Sequence, residues 1–331
     1  PNMKPDFGPA EFKKAVNSGA TAISARDFLV AYNINLNTTS TRRANAIAFD
    51  VREKGRKKTE DGTLNTPVVK DENGNDVWSP GTLKSVKAIG WFIDEYGVAQ
   101  ISMNLTNINI CSIHKAFDEV VDKAQARGIR VTGSELVGLV PLSAMLDAGK
   151  YFLKKQNRST GISESEIIKI AVKSLGLDEL GPFNPEERII EYMLNAESDK
   201  KLVDMTLTEF ADETASESPA PGGGSISAYA GVLGVSLGTM VANLSSHKRG
   251  WDDRWEEFSD WADKGQTYKD KLLWLVDEDT NSFNKIMDAF RLPKDTDADK
   301  AARKQAITDA TKYAIEVPFQ VMETAYASME V

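Results

Sequence analysis

Two stretches of this 331-residue chain carry residue types that could do chemistry. The first is Ser218-Pro219-Ala220-Pro221-Gly222-Gly223-Gly224-Ser225. Pro219 and Pro221 stiffen the approach, and three glycines leave backbone N–H groups uncovered. The run 226–243 has no proline and is rich in Ala, Gly, Val, Leu and Ser, so it can form a closely packed helix. N–H groups at a helix N-terminus attract anions, because unpaired donors and helix dipole point the same way. Ser225 adds a hydroxyl. The competing reading is a flexible Gly/Ser linker, but a linker needs no long small-residue helix behind it. A nucleotide phosphate loop is excluded, since Gly224-Ser225-Ile226 lacks its lysine.

The second is Asp279. Leu272, Val276, Asp279, Phe283, Ile286 and Phe290 recur at intervals of three and four, which places them on one helix face. Asp277 and Glu278 fall off that face and are expected in solvent. An aspartate among apolar residues must be paired, protonated or used as a proton carrier. Pairing with a neighbouring helix or its cap stands beside the catalytic reading. His247-Lys248-Arg249 is a compact positive cluster that either meets an anion or forms a solvated helix end. His114, near Phe117 in a first helical turn, reads as a packed histidine. Glu135 follows a glycine near a strand, where it could contact a polar ligand. The Gly8-to-Gly19 loop offers backbone and Lys13-Lys14, hence binding at most.

The elements that must position these residues change character along the chain. Strand patterns over 27–36, 85–95, 98–107 and 129–139 interleave with helix patterns over 41–53 and 112–127. Strand–helix–strand–strand–helix–strand predicts a ferredoxin-like mixed sheet. Residues 56–80 are charged and turn-rich and read as an exposed excursion. Helices are predicted over 141–155, 163–174, 185–194 and 207–211. After the glycines everything is helical: 226–243, one or two helices over 251–292 ended by Pro293, and 301 onward, with a kink at Pro318. The fold class is therefore α+β, a sheet subdomain followed by an all-α bundle.

Composition narrows the function. A net charge of −9 argues against general nucleic-acid binding. One cysteine, Cys111, excludes an internal disulfide and a cysteine-cluster metal site, and two distant histidines argue against a histidine site. No metal is expected. No run reads as apolar enough to span a membrane, the nearest being 226–244, interrupted by Ser227, Ser236, Thr239 and Asn243. Pro1-Asn2-Met3 is neither a signal peptide nor an ordinary start, and Met329-Glu330-Val331 stops within a helical pattern. Both ends read as cut.

The residues then carry a resemblance. Pro221-Gly222-Gly223-Gly224-Ser225, Gly238-Thr239-Met240-Val241-Ala242-Asn243-Leu244 and Leu275-Val276-Asp277-Glu278-Asp279 with Phe283 and Arg291-Leu292-Pro293-Lys294 resemble the cyclodeaminase domain of the formiminotransferase-cyclodeaminase family. Pro5-Asp6-Phe7-Gly8-Pro9, Ala31-Tyr32-Asn33-Ile34-Asn35-Leu36, Gly90-Trp91-Phe92-Ile93-Asp94-Glu95 and Pro182-Phe183-Asn184-Pro185 are similar to the C-terminal subdomain of its transferase part. The likeness covers nearly the whole chain in the family's domain order. It implies a transferase C-terminal subdomain over 1–196, a linker over 197–204 and a cyclodeaminase domain over 205–331.

The resemblance further implies a cytoplasmic, bifunctional enzyme of histidine degradation, both transferase and ammonia-lyase. The formimino group passes from formiminoglutamate to tetrahydrofolate. The 5-formiminotetrahydrofolate then closes to 5,10-methenyltetrahydrofolate with release of ammonia. Tetrahydrofolate, often polyglutamylated, is substrate and carrier. Asp279 falls on the family's catalytic aspartate. The family's folate loop falls on Gly8, Pro9, Phe12 and Gly19, and Gly222, Gly223, Gly224, Ser225, Lys248 and Arg249 are expected to hold folate carboxylates. The family's transferase base is a histidine that neither His114 nor His247 matches, so the transferase step is not expected of this chain alone. A homo-oligomer built on dimers is implied. A methenyltetrahydrofolate cyclohydrolase-type fusion and a non-catalytic folate-binding fragment are the competing readings.

Overall fold

The computed structural model describes residues 5–9, 11–17, 19, 21, 23–62, 66–195 and 201–331. In the first half, β1 (Val30–Leu36) leads through α1 (Thr41–Val51) to β2 (Val86–Ile93) and β3 (Val98–Leu105), then through α2 (Ile113–Gln125) to β4 (Val131–Val137). The sheet order is β2-β3-β1-β4 with every neighbouring pair antiparallel. This is the ferredoxin-like arrangement that the order of elements predicts.

The strand alternation explains which face meets the helices. Val30, Tyr32, Ile34 and Leu36 are buried with Ala44, Ile47, Ala48 and Val51 of α1 and Ile113, Ala116, Val120 and Ala124 of α2. Ser40 starts α1 by accepting the Arg43 N–H on its hydroxyl. β1 begins at Val30 rather than Asp27, and it is not half-buried: Asn33 and Asn35 on its other face are buried too. The described residues of 56–80 form the expected excursion, closed by pairing of Arg56–Lys57 with Trp78–Ser79. Asp50 of α1 ties it down through ion pairs to Arg56 and to Arg127 beyond α2. α3 (Leu142–Lys155), α4 (Glu164–Leu175) and two short helices, Pro185–Arg188 and Ile190–Asn195, where one was expected over 185–194, follow in this half.

The second half comprises α5 (Leu207–Thr214), α6 (Gly223–Ser245), α7 (Trp255–Arg291) and α8 (Asp297–Ala327). The last three enclose a small core of Ala228, Val232, Val235, Leu272, Leu275, Val276, Val317 and Val321. α6 starts at Gly223, three residues earlier than expected. α7 is one continuous helix of 37 residues. α8 starts at Asp297 because Thr296 and Asp299 form a capping box there, and it continues through Pro318.

By length and composition α6 is apolar enough to cross a membrane, with a mean hydropathy of 1.5, which corrects the sequence expectation. The hydroxyls of Ser227, Ser236 and Thr239 do not interrupt it. Each bonds the carbonyl four residues back within the helix. One such helix is weak support for a span, and α6 packs one side on α7 and α8.

The two halves meet through the loop after α3. Thr160 is buried, donates its N–H to the Ser259 hydroxyl at 3.0 Å and its own hydroxyl to Asp263 at 2.5 Å. The Gly161 carbonyl accepts from Asn243 at 2.6 Å and Gln266 at 3.1 Å. Gly161 lies so close to Ala262 that any Cβ would overlap it. Of the expected linker over 197–204, residues 197–200 lie outside the described residues, and Leu202–Asp204 form a short 3-10 turn against α7.

Candidate functional site

The glycine run and Asp279, more than fifty residues apart in sequence, are in contact. Gly222 is the extended cap of α6, and Gly223 and Gly224 are its first helical residues. That geometry replaces the linker reading. Ser225 is buried. Its N–H donates to Asp279 Oδ2 at 2.9 Å, its hydroxyl donates to the Val276 carbonyl at 2.8 Å, and the same hydroxyl stands 3.2 Å from Asp279 Oδ2. The carboxylate fills the space that a side chain on Gly224 would need. Only glycine permits this approach.

A carboxylate from α7 therefore sits where a free anion would bind at the start of α6. The pairing alternative for Asp279 is realised, and it fixes the group rather than retiring it. Oδ2 is held by the Ser225 N–H, while Oδ1 lies against the Gly224 backbone. Asp279 is only half-buried, and the space beside Gly223 is open. A carboxylate oriented through one oxygen at a solvent boundary can take up and return a proton.

The inward face of α7 differs from the one the sequence suggests. Leu275 and Ser282 are buried, whereas Phe283 and Phe290 are about half exposed. Asp277 and Glu278 are not solvated as expected. Asp277 is half-buried and accepts the Leu202 N–H at 2.7 Å. Burial, opposed by that bond, pushes its carboxyl above the ordinary range. Glu278 is 8% exposed. It accepts from Tyr313 of α8 at 2.5 Å, from Lys285 at 3.0 Å and from Asn281 at 3.3 Å. Burial pushes its carboxyl up, but the Tyr313, Lys285 and Asn281 donors together hold it below the usual range. The cause of the misreading is plain. A three-helix packing buries α7 on more than one side, so residues 100° apart each meet a different partner.

The other expected site residues do not join this cluster within one chain. Lys248 and Arg249 are exposed beyond the far end of α6, about 35 Å from the glycines at 1.5 Å per residue. The Lys248 ammonium lies over the Trp251 ring at 4.1 Å. Gly8, Pro9 and Gly19 are exposed, and Phe12 opens a four-residue helix, Phe12–Ala15. Ala10 and Ser18 of that loop lie outside the described residues. His114 is the packed histidine that was expected. It stacks on Tyr151 at 4.4 Å with Nε2 2.9 Å from the Ser112 hydroxyl, and burial pushes its pKa down. Glu135 lies 3.5 Å from the Asn33 amide.

One polar cluster escaped the sequence reading. The Trp91 indole N–H donates to Gln100 at 3.2 Å, Gln100 donates to Asn35 at 2.6 Å, and Asn35 donates to Glu179 at 2.6 Å. Gln100 and Asn35 are fully buried. The signal was available in the register: Asn35 and Gln100 occupy the positions that should be apolar if a strand has two buried faces. Among the described residues no group of three His, Cys, Asp or Glu is arranged to hold a metal.

Comparison with known proteins accounts for both halves. A family model described as Formiminotransferase domain matches residues 31–195, and one described as Formiminotransferase-cyclodeaminase matches residues 206–331. The chain belongs to the formiminotransferase-cyclodeaminase family. It is 40% identical to formimidoyltransferase-cyclodeaminase of Gallus gallus over 96% of this chain and 55% of that one. It therefore spans about half the length of the curated relatives it matches. Glutamate formimidoyltransferase of Thermoplasma acidophilum is 36% identical over 50% of this chain and 44% of its own. Methenyltetrahydrofolate cyclohydrolase of Methylorubrum extorquens is 35% identical over 34% of this chain and 54% of its own.

Proposed function

We propose that the helical half is a cyclodeaminase that closes 5-formiminotetrahydrofolate to 5,10-methenyltetrahydrofolate and releases ammonia. One observation carries this reading: the Asp279 carboxylate is locked against Gly224 and Ser225 at the open start of α6. The reaction needs one proton moved. N10 attacks the amidinium carbon and forms the new C–N bond. Asp279 removes the N10 proton and delivers it to the amino nitrogen, whose C–N bond then breaks to give ammonia and the methenyl cation. Gly222, Gly223 and Gly224 lie against the folate, and Ser225, buried behind them, holds Asp279. Lys248 and Arg249, too far to serve the same chain's Asp279, serve a folate carboxylate tail only where a second copy or a long polyglutamate tail spans the distance.

The sheet half is the formiminotransferase-type unit, taking formiminoglutamate and tetrahydrofolate, with Gly8, Pro9, Phe12 and Gly19 as its folate loop. Of the Trp91–Gln100–Asn35–Glu179 row, the exposed ends, Trp91 and Glu179, are the groups it offers a substrate, held by the buried Gln100 and Asn35. Buried, free Cys111 suits a cytoplasmic setting.

A second copy of the chain is the partner for α6 and α8. Leu233, Leu237, Met240 and Leu244 on α6 and Ile315, Phe319, Met322 and Tyr326 on α8 are exposed at alternating intervals of four and three. No charged residue lies within α6. Two such stripes on adjacent helices form a seam suited to self-association.

The cyclohydrolase-related match favours one further reading, hydrolysis of the methenyl product. A product assay separates the possibilities. Ammonia and methenyl absorbance rising together from 5-formiminotetrahydrofolate supports the cyclodeaminase. Loss of absorbance from added methenyltetrahydrofolate supports the cyclohydrolase. Folate binding without either product reduces the chain to a binding fragment.

A further inference from the structure

We propose that Glu278 is a positioning residue: by gripping Tyr313 of α8 it sets the rotation of α7 about its axis and so decides where Asp279 points. Three acids in a row leave α7 in three directions. Asp277 takes the Leu202 N–H, Glu278 takes α8, and Asp279 takes the start of α6. Successive residues are about 100° apart on a helix, so holding one fixes the azimuth of the next.

The grip is built rather than incidental. Glu278 is buried, and its two oxygens accept from Tyr313, Lys285 and Asn281. The Lys285 ammonium also lies over the Tyr313 ring at 4.1 Å, so the three side chains brace one another. A buried charge is a poor means of gaining stability, since apolar residues of similar size hold helices together as well. Its best-attested use is to specify one registry.

Apolar packing is poorly able to specify rotation here. The apolar core that α6, α7 and α8 share is small, and part of the α6–α7 contact is made by small residues: Gly231 lies against Leu272, and a Cβ on Gly265 would overlap Thr239. Beyond the grip, α7 and α8 part around a groove of about 430 Å³ that Lys285 and Tyr313 help to line. A helix with its side chains has a radius of about 5 Å, so a 20° turn moves a side-chain tip by about 2 Å. That breaks the 2.9 Å bond from Ser225 to Asp279. A misplacement of about 1 Å can cost a hundredfold in rate.

Amide hydrogen exchange on the intact chain tests this without reference to activity. In Glu278→Gln and in Tyr313→Phe, exchange of the Ser225 N–H accelerates about tenfold, while that of Val232 in the middle of α6 is unchanged. Tyr313→Phe removes the bond and Glu278→Gln weakens it by taking away the acceptor's charge, so the double variant is no worse than Tyr313→Phe alone. Lys285→Gln, which removes a half-exposed partner, has less than about a twofold effect. An unchanged Ser225 rate in both single variants overturns the proposal. So does equal acceleration along all of α6, which marks plain destabilisation. Should Glu278→Gln fail to fold, Tyr313→Phe decides alone. A kinetic arm rests on the cyclodeaminase reading: Glu278→Gln lowers kcat of ammonia release about tenfold with KM within about twofold. Full activity of Asp279→Asn would remove that reading, while the exchange result still decides the role of Glu278.

Discussion

The sheet half and the helical half bury their polar groups in different ways. In the sheet half, Asn35 and Gln100 are fully buried on strands already fixed to each other by backbone pairing. Their amides extend an order that exists without them. In the helical half no backbone ladder joins α6, α7 and α8. The contacts that orient these helices are side chains: Asp279 on Ser225, Glu278 on Tyr313, and Thr160 and Asn243 at the junction. The sheet half also has the larger apolar core. Single polar substitutions should therefore weaken the sheet half and misalign the helical half.

The largest expected effect is at the tightest contact. Gly224→Ala drives the Asp279 carboxylate away, costing about 2–3 kcal/mol in the helical half and most of the ammonia release. Thermal unfolding and the product assay check both. An active, equally stable variant would mean that the contact can relax. Next is Leu237→Asp, which puts a charge into the exposed stripe of α6. Self-association by analytical ultracentrifugation should weaken about a hundredfold, with monomer stability within about 0.5 kcal/mol. A smaller loss is expected from Gln100→Ala, which leaves Trp91 and Asn35 without their partner. It should cost about 1–3 kcal/mol, confined to the sheet half and without effect on ammonia release.

The smallest effect concerns His114. Burial holds its pKa below the ordinary 6.5. The unfolded chain therefore takes up the proton first, and stability is lost as pH falls through about 6.5 and below. His114→Phe keeps the stack on Tyr151 and removes the titration, so its melting temperature should fall less between pH 7.5 and 5. An identical pH dependence in the variant would contradict this account.

Much of the fold was legible because its elements are locally consistent. The strand–helix order and the turn residues of the sheet half predict its topology, and the small-residue run predicts α6 but not its first turn, which takes in Gly223 and Gly224. Asp279 was legible because an acid breaks an apolar repeat. Glu278 was not, since a one-face reading of α7 assigns it to solvent, and only the packing of α8 supplies Tyr313. Lys248 and Arg249 look like partners of the glycines in sequence because a helix length does not show in a motif. The Gln100 row needs the pairing register, which a single strand does not reveal.

The central claim is that the Asp279 carboxylate at the head of α6 moves the proton in ammonia release. The most direct measurement is kcat for ammonia release from 5-formiminotetrahydrofolate by the chain and by Asp279→Asn, with circular dichroism and folate binding measured on both. The account predicts turnover in the parent and a fall of about 10²–10⁴ in the variant, with fold and folate affinity kept. Turnover that survives the substitution would contradict it.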